Sequence, residues 1–340
     1  MRENRYSRQT LFSPIGDSGQ SLLGKKHVLI IGAGALGSST AEMLVRSGIG
    51  RITIIDRDYV ERSNLQRQQL YTERDAKNRI PKAIAAEKRL REINGDCEIT
   101  GIVGEATVEL LEDIIEEIDL IIDASDNMEI RMIINDLSIK HGVPWIYGAC
   151  VGSSGMTFTI LPEITPCLHC LLQVMPMNGM SCDTAGIISP AVQLVVAHQV
   201  TEALKILIQD KNSLRGTFYS FDLWNNTSQN IKVSRAKRTD CRTCGKERSY
   251  PFLQKENQTK TAILCGRDTV QIRPSFKKEL NFTYLAESLV KRGYKVTQNP
   301  FLLNVQLKDN RFVLFKDGRA LVHQTKDVVH AKNLYDQLMG

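Results

Sequence analysis

The stretch SNLQRQQL at positions 63–70 carries more hydrogen-bonding capacity than an idle surface turn needs. Five of its eight side chains are amides or a guanidinium, and it follows RITIID (51–56), a β-branched run that predicts a strand. Guanidinium groups make charge-assisted, often bidentate hydrogen bonds to phosphate oxygens. Arg67, together with Asn64 and Gln68, therefore indicates a segment that faces phosphate.

A glycine-rich loop lies upstream of this stretch. Gly32, Gly34 and Gly37 of GAGALG fit the spacing G-x-G-x-x-G between a predicted strand at 27–31 and a helical pattern at 38–48. Glycines at these positions let backbone N–H groups approach a phosphate at the helix N-terminus. The loop therefore predicts a nucleotide site, although the same glycines would also serve a tight turn that packs a helix on a strand.

The choice between ATP and NAD depends on the charged residues beyond the loop. Asp56 ends the second predicted strand, where a carboxylate commonly bonds ribose hydroxyls, and Asp58 follows it. A dinucleotide is well served by the glycine loop, whereas a triphosphate carries more charge and takes fixed Arg and Lys partners. Arg67 and Lys82, the latter at the start of a helix predicted for 80–93, together favour ATP. Either cation alone would be interpreted as a solvated surface charge.

A further carboxylate lies after the fourth predicted strand. Asp126 stands in the turn SDN at the carboxyl edge of the predicted sheet, where ligands bind in folds of this kind. A carboxylate that faces a triphosphate is best explained by Mg²⁺ between the two. Asp126 is therefore predicted to be a magnesium ligand. The alternative is a second helix cap beside Asn127, which is itself well placed to cap the next helix.

Four of the eight cysteines form two Cys-x-x-Cys pairs, which in a reducing compartment are typical of metal or redox chemistry. Cys167 and Cys170 belong to CLHC, and Cys241 and Cys244 belong to CRTC. Four thiolates suit tetrahedral Zn²⁺, and a closed site of four cysteines is structural. Because the pairs are far apart in sequence, folding must bring them together. The alternative is two unrelated reduced pairs.

Cys182 differs from these four because it stands in the loop MPMNGMSCDT, shortly before a long apolar helix. A thiol near a helix N-terminus can have a lowered pKa and act as a nucleophile. From the residues alone, a small buried apolar side chain is an equally good interpretation. Cys97, Cys150 and Cys265 lie in strand-like contexts and are predicted to belong to the core.

Strands alternate with helical patterns through the first part of the chain. This alternation predicts an α/β fold of Rossmann type, with a mostly parallel sheet and helices on both faces. The predicted strands lie at 27–31, 51–56, 97–103, 119–125 and 143–150. Further strands are predicted on either side of a long helix, at 156–161 and 217–224.

The character of the chain changes near its last hundred residues. Residues 246–262 are polar and turn-rich, as linkers are, and a separate small α+β unit is predicted beyond them. Its predicted strands and helices lie near 268–274, 302–307, 311–318, 281–292 and 326–338. We therefore expect a nucleotide-binding domain with the zinc site at 1–248, a linker at 249–262 and the small domain at 263–340.

The composition of the 340-residue chain excludes several classes of function. Hydrophobic residues make up 42% and charged residues 24%, as in ordinary globular proteins. The net charge of +6 is diffuse, and the lack of a basic run interleaved with aromatics argues against nucleic acid. The apolar segment 187–208 contains His198, Glu202 and Lys205, so we expect a buried amphipathic helix and no membrane span. The polar start MRENRYSRQT lacks an apolar signal core, which favours a cytoplasmic protein.

Taken in order, these motifs resemble the ThiF/MoeB/HesA adenylyltransferases, which are bacterial relatives of the ubiquitin-activating enzymes. The resemblance covers about residues 4–248 and rests on RYSRQ, GAGALG, the D-x-D of residues 56–58, SNLQRQ, Pro81–Lys82, SDN, the two CxxC pairs and the C-x-x-A-G that begins at Cys182. One departure is Ala35, where the family commonly has glycine. Its backbone N–H survives, so phosphate binding is expected to persist. The unit beyond about residue 260 has no counterpart in the minimal family members.

The resemblance implies ATP-dependent adenylation of the C-terminal Gly-Gly carboxylate of a ubiquitin-like sulfur carrier. Arg8 would reach the triphosphate of the neighbouring subunit, which implies a homodimer. Cys182 matches the position that bonds covalently to the carrier in the thiazole branch. The remaining implied roles are ribose binding by Asp56, phosphate binding by Asn64, Arg67 and Lys82, Mg²⁺ binding by Asp126 and zinc binding by the four paired cysteines.

The motifs leave the pathway open. Cys182 and the turn V-G-x-x-G at 151–155 favour a ThiS-type carrier of thiamine thiazole synthesis, with a cysteine desulfurase as a candidate sulfur donor. The near alternative is the same reaction on a MoaD-type carrier of molybdopterin synthesis. More distant alternatives are an NAD-dependent oxidoreductase and a non-catalytic scaffold that binds a carrier.

Overall fold

The computed structural model describes residues 5–174, 186–254, 261–263, 268–273 and 280–339. The described residues form two compact units, one up to residue 254 and the other from residue 261 onward. Each unit has a hydrophobic core of its own. Within these ranges, no helix is long and apolar enough to cross a membrane.

Eight strands form the sheet of the first unit: β1 (His27–Ile31), β2 (Arg51–Asp56), β3 (Glu98–Val103), β4 (Leu120–Asp123), β5 (Trp145–Val151), β6 (Ser154–Ile160), β7 (Phe218–Asp222) and β8 (Thr227–Ile231). Their order across the sheet is β3-β2-β1-β4-β5-β6-β7-β8. Neighbours from β3 to β5 pair in parallel, whereas β5 to β8 pair antiparallel. The predicted mostly parallel sheet is confirmed, and the exposed edge strand β8 is one that the sequence pattern does not indicate.

Helices cover both faces of this sheet: α1 (Ser7–Thr10), α2 (Gly16–Leu23), α3 (Ala35–Arg46), α4 (Glu73–Asn78), α5 (Lys82–Ile93), α6 (Val108–Ile114), α7 (Met128–His141), α8 (Leu168–Leu172) and α9 (Ser189–Leu207). Even-numbered residues of β1, such as Val28 and Ile30, pack in one core with α3 and α9. Odd-numbered residues, such as Leu29 and Ile31, pack in a second core with α6 and α7. Every residue of β1 is buried, as expected for a central strand with helices on both faces.

The ends of α7 follow local signals in the sequence. The Oδ1 atom of Asn127 accepts hydrogen bonds from the backbone N–H groups of Glu129 and Ile130, so the predicted cap is confirmed. At the other end Gly142 has φ of 72°, a left-handed conformation that terminates helices at low cost. The helix therefore begins shortly after the carboxyl end of β4, and both of its ends are fixed by capping residues.

The order of the strands creates a crevice at one edge of the sheet. From β1, the chain extends to β2 and β3 on one side and to β4 and β5 on the other. Where the strand order reverses in this way, the loops after neighbouring strands separate, and ligands bind at the carboxyl ends. The loops after β1, β2 and β4 carry the glycine loop, Asp58 and Asp126. We call this edge the nucleotide edge.

The second unit consists of an antiparallel sheet and two helices. Its elements are β9 (Thr261–Ile263), β10 (Thr269–Ile272), α10 (Phe282–Lys291), β11 (Lys295–Gln298), β12 (Leu302–Gln306), β13 (Arg311–Phe315), β14 (Ala320–His323) and α11 (Val328–Met339). The six strands have the order β11-β12-β13-β14-β10-β9. Val270, Leu303 and Phe312 of the sheet pack with Leu289 and Ala331 of the helices. The predicted small α+β unit is confirmed, and β9, β11 and β14 are strands that the sequence pattern does not indicate.

Candidate active site

The loop GAGALG joins β1 to α3, and two of its glycines are required by close backbone contacts. Gly32 has φ of +98°, and a Cβ there would lie 2.5 Å from the carbonyl oxygen of Ala124. A Cβ at Gly37 would lie 1.8 Å from the carbonyl oxygen of Gly32. The position of a Cβ at Gly34 is open, with Gln68 Nε2 as its nearest neighbour at 3.9 Å. The loop is therefore packed tightly at its ends and accessible in its middle.

Asp56 holds the glycine loop from the end of β2. Its Oδ2 accepts a hydrogen bond from the N–H of Ala33 at 2.6 Å, and its Oδ1 accepts one from the N–H of Asp58 at 2.7 Å. The carboxyl group is buried, and burial raises its pKa; Lys82 opposes this rise and Asp58 adds to it. Asp56 thus organises two neighbouring loops at the place where ribose hydroxyls are expected.

Lys82 is the first residue of α5 and is only 3% exposed. Its Nζ lies 3.3 Å from Asp58 Oδ2, and its backbone N–H donates to the carbonyl of Asp58 at 2.9 Å. A buried ammonium group needs a negatively charged partner, because desolvation of an unpaired charge is costly. Asp58 is that partner, and it holds the cation beside Asp56 at the nucleotide edge.

A short 3₁₀ turn, Arg62–Asn64, overlaps the start of the segment 63–70, and Asn64 is buried in it. The Oδ1 atom of Asn64 accepts a hydrogen bond from the N–H of Glu61 at 3.1 Å. This contact caps the turn, so Asn64 has a structural role in addition to the phosphate role expected from the sequence.

Two further polar side chains of this segment, Arg67 and Gln68, follow the turn in the chain. Arg67 is half-buried, and its Nη1 donates to the carbonyl of Ser63 at 3.0 Å. Gln68 is buried, and its Oε1 has no hydrogen-bond partner among the residues that the structure describes. A buried acceptor without a donor is costly unless water or a ligand supplies one. The arrangement therefore leaves hydrogen-bonding capacity beside Gly34, where the glycine loop is open.

The turn after β4 is clamped from behind by a buried ion pair. The Oδ1 atom of Asp123 accepts hydrogen bonds from the N–H and the hydroxyl of Ser125, at 2.9 and 2.7 Å. The Oδ2 atom of Asp123 accepts one from Arg131 Nε at 2.9 Å, and Arg131 Nη2 donates to the carbonyl of Ser125 at 2.7 Å. Asp126 follows on this fixed turn with its side chain exposed. Its carboxylate is thus available to a cation at the nucleotide edge.

Arg57 is a cation of the nucleotide edge that the sequence analysis misses. Its Nη1 lies 2.9 Å from Glu105 Oε1. Burial lowers the pKa of Arg57, but the carboxylates of Asp58, Asp126 and Glu105 raise it more, so the net shift is upward. The only sequence signal is its place between the two aspartates of D-R-D. Arg57 adds a fixed positive charge between the ends of β2 and β4.

Tyr71 and Arg131 are also absent from the predicted set. Tyr71 directly follows 63–70, and Arg131 lies on the first turns of the helix behind SDN. Both are buried and donate to backbone carbonyls of the loops at this edge. No residue spacing encodes such contacts, because any residue can supply a backbone carbonyl.

Arg8 lies near the amino-terminal ends of the strands, whereas the glycine loop lies at their carboxyl ends. It belongs to α1, and two residues close to it in the chain, Tyr6 and Gln9, bond to the segments before β3 and β2. Asn94 Nδ2 donates to the hydroxyl of Tyr6 at 2.9 Å, and Gln9 Nε2 donates to the carbonyl of Ser47 at 2.9 Å. A strand of six residues such as β2 spans about 20 Å. The structure therefore does not bring Arg8 to the nucleotide edge of its own chain.

The two Cys-x-x-Cys pairs meet inside the core next to α7. Their four sulfur atoms lie within 4.8 Å of one another, and all four residues are buried. Cys167 and Cys241 have their Sγ atoms 3.7 Å apart, and the Sγ atoms of Cys170 and Cys244 are 3.5 Å apart. Thiolates at 2.3 Å from a tetrahedral zinc ion are about 3.8 Å apart. We call these residues the cysteine cluster, and their spacing fits a metal ion.

Two residues of α7 position the cluster. Asn135 Oδ1 accepts a hydrogen bond from the N–H of Leu168 at 2.7 Å, next to the first pair. Asp136 Oδ1 accepts one from the hydroxyl of Thr243 at 2.6 Å, and Asp136 Oδ2 accepts one from the N–H of Phe252 at 2.8 Å. The same helix that begins at the nucleotide edge therefore holds both halves of the cysteine cluster.

Two of the other cysteines lie outside the described residues, among them the predicted nucleophile Cys182; the second is Cys265. Cys97 and Cys150 are buried, as expected for core residues. Burial raises the pKa of the Cys97 thiol to about 11, with a smaller contribution from Asp96. Cys97 is therefore a protonated packing residue at neutral pH.

Comparison with known proteins identifies the family. The profile of the ThiF family matches residues 6–243. The chain belongs to the ThiF family. A ThiF-family relative from Bacillus subtilis (strain 168), the sulfur carrier protein ThiS adenylyltransferase, is 53% identical over 336 residues, which cover 99% of both chains. The protein of the same name from Escherichia coli (strain K12) is 33% identical over 248 residues, which cover 73% of this chain and 97% of that protein.

Solved structures share the fold of the first unit. Escherichia coli MccB with ATP aligns with a TM-score of 0.61 at 21% identity, over 72% of this ThiF-family chain and 75% of that one. The structure of PaaA aligns with a TM-score of 0.56 at 22% identity, over 67% and 72% of the two chains. At these identities the likeness shows a common fold and no more.

Proposed function

We propose that this ThiF-family protein is an ATP-dependent adenylyltransferase that acts on a ubiquitin-like sulfur carrier of the ThiS type. The single observation that carries the proposal is the 53% identity to a ThiS adenylyltransferase over 99% of both chains. The reaction joins the C-terminal glycine carboxylate of the carrier to the α-phosphate of ATP and releases pyrophosphate. The acyl-adenylate is then the activated form for sulfur transfer in thiamine thiazole synthesis.

The nucleotide edge supplies the contacts that ATP needs. The backbone N–H groups at the start of α3, from Gly34 and Ala35 onward, have no acceptors within the helix, and the loop is open at Gly34. These groups bind phosphate oxygens, and Asp56 binds the ribose. Asn64, Arg67, Gln68 and Lys82 complete the phosphate site.

The attacking carboxylate has an ordinary pKa of about 3.5, so it is ionised at neutral pH and needs no general base. The barrier comes from an anion approaching a polyanion, and fixed positive charge lowers it. Lys82 is buried and held by Asp58, so it needs little reorganisation when the phosphates bind. Arg67 adds a guanidinium that can bond two phosphate oxygens at once.

Two metals belong to this proposal. Asp126 would bind Mg²⁺, because it is an exposed carboxylate on a turn fixed by Asp123 and Arg131. Such an ion would neutralise part of the negative charge of the phosphates of ATP. The cysteine cluster would hold Zn²⁺, since its sulfur–sulfur distances match a tetrahedral ion. A structural zinc site needs four protein ligands, and the cluster supplies four thiols.

We further propose a homodimer in which Arg8 acts on the site of the partner subunit. The hydrogen bonds of Tyr6 and Gln9 hold Arg8 far from its own glycine loop, so a role for Arg8 at phosphate requires a second copy. Mixing Arg8→Ala and Arg67→Ala subunits tests this. A mixed dimer has one intact site, so random mixing restores about a quarter of wild-type activity if Arg8 acts in trans. No recovery after verified subunit exchange would contradict the dimer proposal.

Cys182 is proposed to bond covalently to the carrier during sulfur transfer, with a cysteine desulfurase as the sulfur donor. The Cys182→Ala variant should then keep carrier adenylation and lose sulfur transfer. Normal sulfur transfer in this variant would make Cys182 a packing residue.

The boundaries 1–248, 249–262 and 263–340 are proposed to separate the catalytic domain, the linker and a small domain of separate role, although both ends of this linker pack on the units: Phe252 bonds to Asp136, and Thr261 and Ala262 pair with β10. The alignment with the E. coli relative supports this division, because that protein matches 73% of this chain with 97% of its own length. The second unit is therefore dispensable for adenylation in this proposal.

Pyrophosphate exchange into ATP, measured with purified ThiS-type and MoaD-type carriers, tests the activity and the choice of carrier together. We expect exchange with the ThiS-type carrier, and none when its terminal glycine is deleted. Stronger exchange with the MoaD-type carrier would favour the alternative pathway, molybdopterin synthesis. No exchange with either carrier, together with nicotinamide binding, would favour the oxidoreductase.

A further inference from the structure

The hydroxyl of Tyr71 touches the middle of the glycine loop from the core side. We propose that Tyr71 is a positioning residue for phosphate binding, because its hydroxyl fixes the peptide between Ala33 and Gly34 so that the N–H of Gly34 faces the nucleotide. The inference rests on the proposed use of ATP and extends it to a residue that no motif of the sequence singles out.

The contact is short and buried. Tyr71 is 7% exposed, and its ring packs in the same core as α3 and α9. Its hydroxyl donates to the carbonyl oxygen of Ala33 at 2.6 Å, and the carbonyl of Lys82 lies farther away at 3.3 Å. A phenol has a single proton, so the shorter contact is the hydrogen bond.

The geometry of the peptide bond transmits this contact to the ligand side. In a planar trans peptide the C=O of one residue and the N–H of the next point in opposite directions. The chain has no cis peptide bonds within the described residues. Since the carbonyl of Ala33 points inward to Tyr71, the N–H of Gly34 points outward. A Cβ built on Gly34 would meet no described heavy atom closer than Gln68 Nε2 at 3.9 Å, so this part of the loop is not tightly packed.

The two peptide groups that flank Ala33 are each held by a side chain. Its N–H donates to Asp56 Oδ2 at 2.6 Å, and its C=O accepts from Tyr71. Asp56 therefore fixes the entry to the loop and Tyr71 fixes the exit. A loop that is held in its binding geometry before the ligand arrives loses less conformational entropy on binding.

The phenol remains a donor over the working range of pH. Burial raises the pKa of Tyr71 well above its ordinary value, and the carboxylates of Asp56, Asp75 and Asp58 raise it further. The hydroxyl is therefore protonated at neutral and mildly alkaline pH.

The Tyr71→Phe variant removes this one oxygen and keeps the ring in the core. Without the hydroxyl, the carbonyl of Ala33 is buried with no donor, so the peptide can rotate toward other polar groups. We expect the dissociation constant for ATP, measured by calorimetry on the full chain, to rise about tenfold. The dissociation constant for adenosine, which has no phosphate, should change less than about twofold.

The matched control is Ile52→Val, which removes one buried methylene group from β2 in the same core. It should leave both dissociation constants within about twofold. A tenfold loss for ATP in Tyr71→Phe with little change for adenosine supports the proposal. Equal losses for both ligands, or no loss for ATP, would overturn it and leave Tyr71 as a packing residue.

The exchange assay separates this inference from the proposed function. If the wild-type protein binds ATP but shows no carrier-dependent exchange, the proposed reaction fails while the comparison of ATP with adenosine still decides the role of Tyr71. If exchange is present, the Michaelis constant for ATP should rise about tenfold in Tyr71→Phe, with a smaller change in the turnover number. A fall in turnover alone would contradict a positioning role.

Discussion

The nucleotide edge and the cysteine cluster share one helix, α7: the first lies at its N-terminal end, the second contacts Asn135 and Asp136 near its middle, and the two sites are stabilised by different means. At the nucleotide edge, side chains such as Asp56 and Arg131 bond to backbone groups of the loops, so the site is shaped before any ligand binds. In the cysteine cluster, four buried sulfur atoms face one another, and a metal ion is the group that would link them. One site is organised by hydrogen bonds within the protein, and the other is a group of four thiols close enough together to hold a metal ion.

Loss of a cluster cysteine should produce the largest effect. In Cys241→Ser we expect metal content, measured by mass spectrometry, to fall from stoichiometric to near zero, because the buried hydroxyl is a poor zinc ligand. The free energy of unfolding should fall by about 4 kcal/mol, which lowers the melting temperature by roughly 8–16 °C in a unit of this size. A variant that keeps both metal and stability would show that the thiols pack without an ion.

Arg67→Ala tests the nucleotide edge. Removing a donor that stabilises the transition state typically costs 10²–10³ in rate, so carrier-dependent exchange should fall by about that factor. Metal content and melting temperature should not change, because Arg67 is half-buried and, among the described residues, its side chain donates one hydrogen bond, to the carbonyl of nearby Ser63.

Arg62→Ala is the matched control for Arg67→Ala. Its guanidinium pairs loosely with Glu73 at 3.6 Å, and the side chain is 82% exposed. Exchange should stay within about twofold of wild type. Equal losses in the two variants would mean that general positive charge, and no specific phosphate contact, drives the reaction.

Arg131→Lys should have an intermediate effect on the part of α7 near the nucleotide edge. Lysine keeps the charge beside Asp123 but cannot also reach the carbonyls of Ser125 and Gly148, which Arg131 bonds at 2.7 and 3.2 Å. We expect a loss of about 2 kcal/mol in unfolding free energy and a higher Mg²⁺ concentration for half-maximal exchange. Arg89→Lys on the exposed face of α5 should change neither quantity. Unaltered Mg²⁺ dependence in Arg131→Lys would separate the clamp from the role of Asp126.

Asp136→Asn should have the smallest effect. Asparagine can still accept a hydrogen bond from Thr243, but its amide group opposes the N–H of Phe252, so we expect a loss of about 1 kcal/mol. The melting temperature should drop by roughly 2–4 °C with metal content retained. Loss of the metal would mean that α7 determines the geometry of the cluster more strongly than its sulfur atoms do.

Much of the fold is predictable because its signals are local. The strands around HVLII and RITIID, the glycines of the first loop and the cap at Asn127 all depend on neighbouring residues, and the structure contains each of them. The strand β8 escapes prediction because its five residues are exposed and have no hydrophobic alternation. The roles proposed for individual site residues remain predictions, even where the structure brings those residues together.

The site residues that sequence analysis misses are held by contacts that no motif specifies. Tyr71 and Arg131 act on backbone carbonyls, whose positions are set by the packing of distant segments. Arg57 is held by Glu105, 48 residues away in sequence. A motif records side-chain types at fixed spacing, so it cannot contain a contact between a side chain and a remote backbone atom.

The sequence by itself determined the family, the alternation of strands and helices, the glycine loop and the two cysteine pairs, because each depends on residue type and short spacing. Only the tertiary structure decided that the pairs, 74 residues apart, meet in one cluster beside α7. It also placed Arg8 at the edge opposite to its own glycine loop, and it revealed the hydrogen bond from Tyr71 to Ala33. These arrangements require long-range packing, which brings together groups that no local pattern connects.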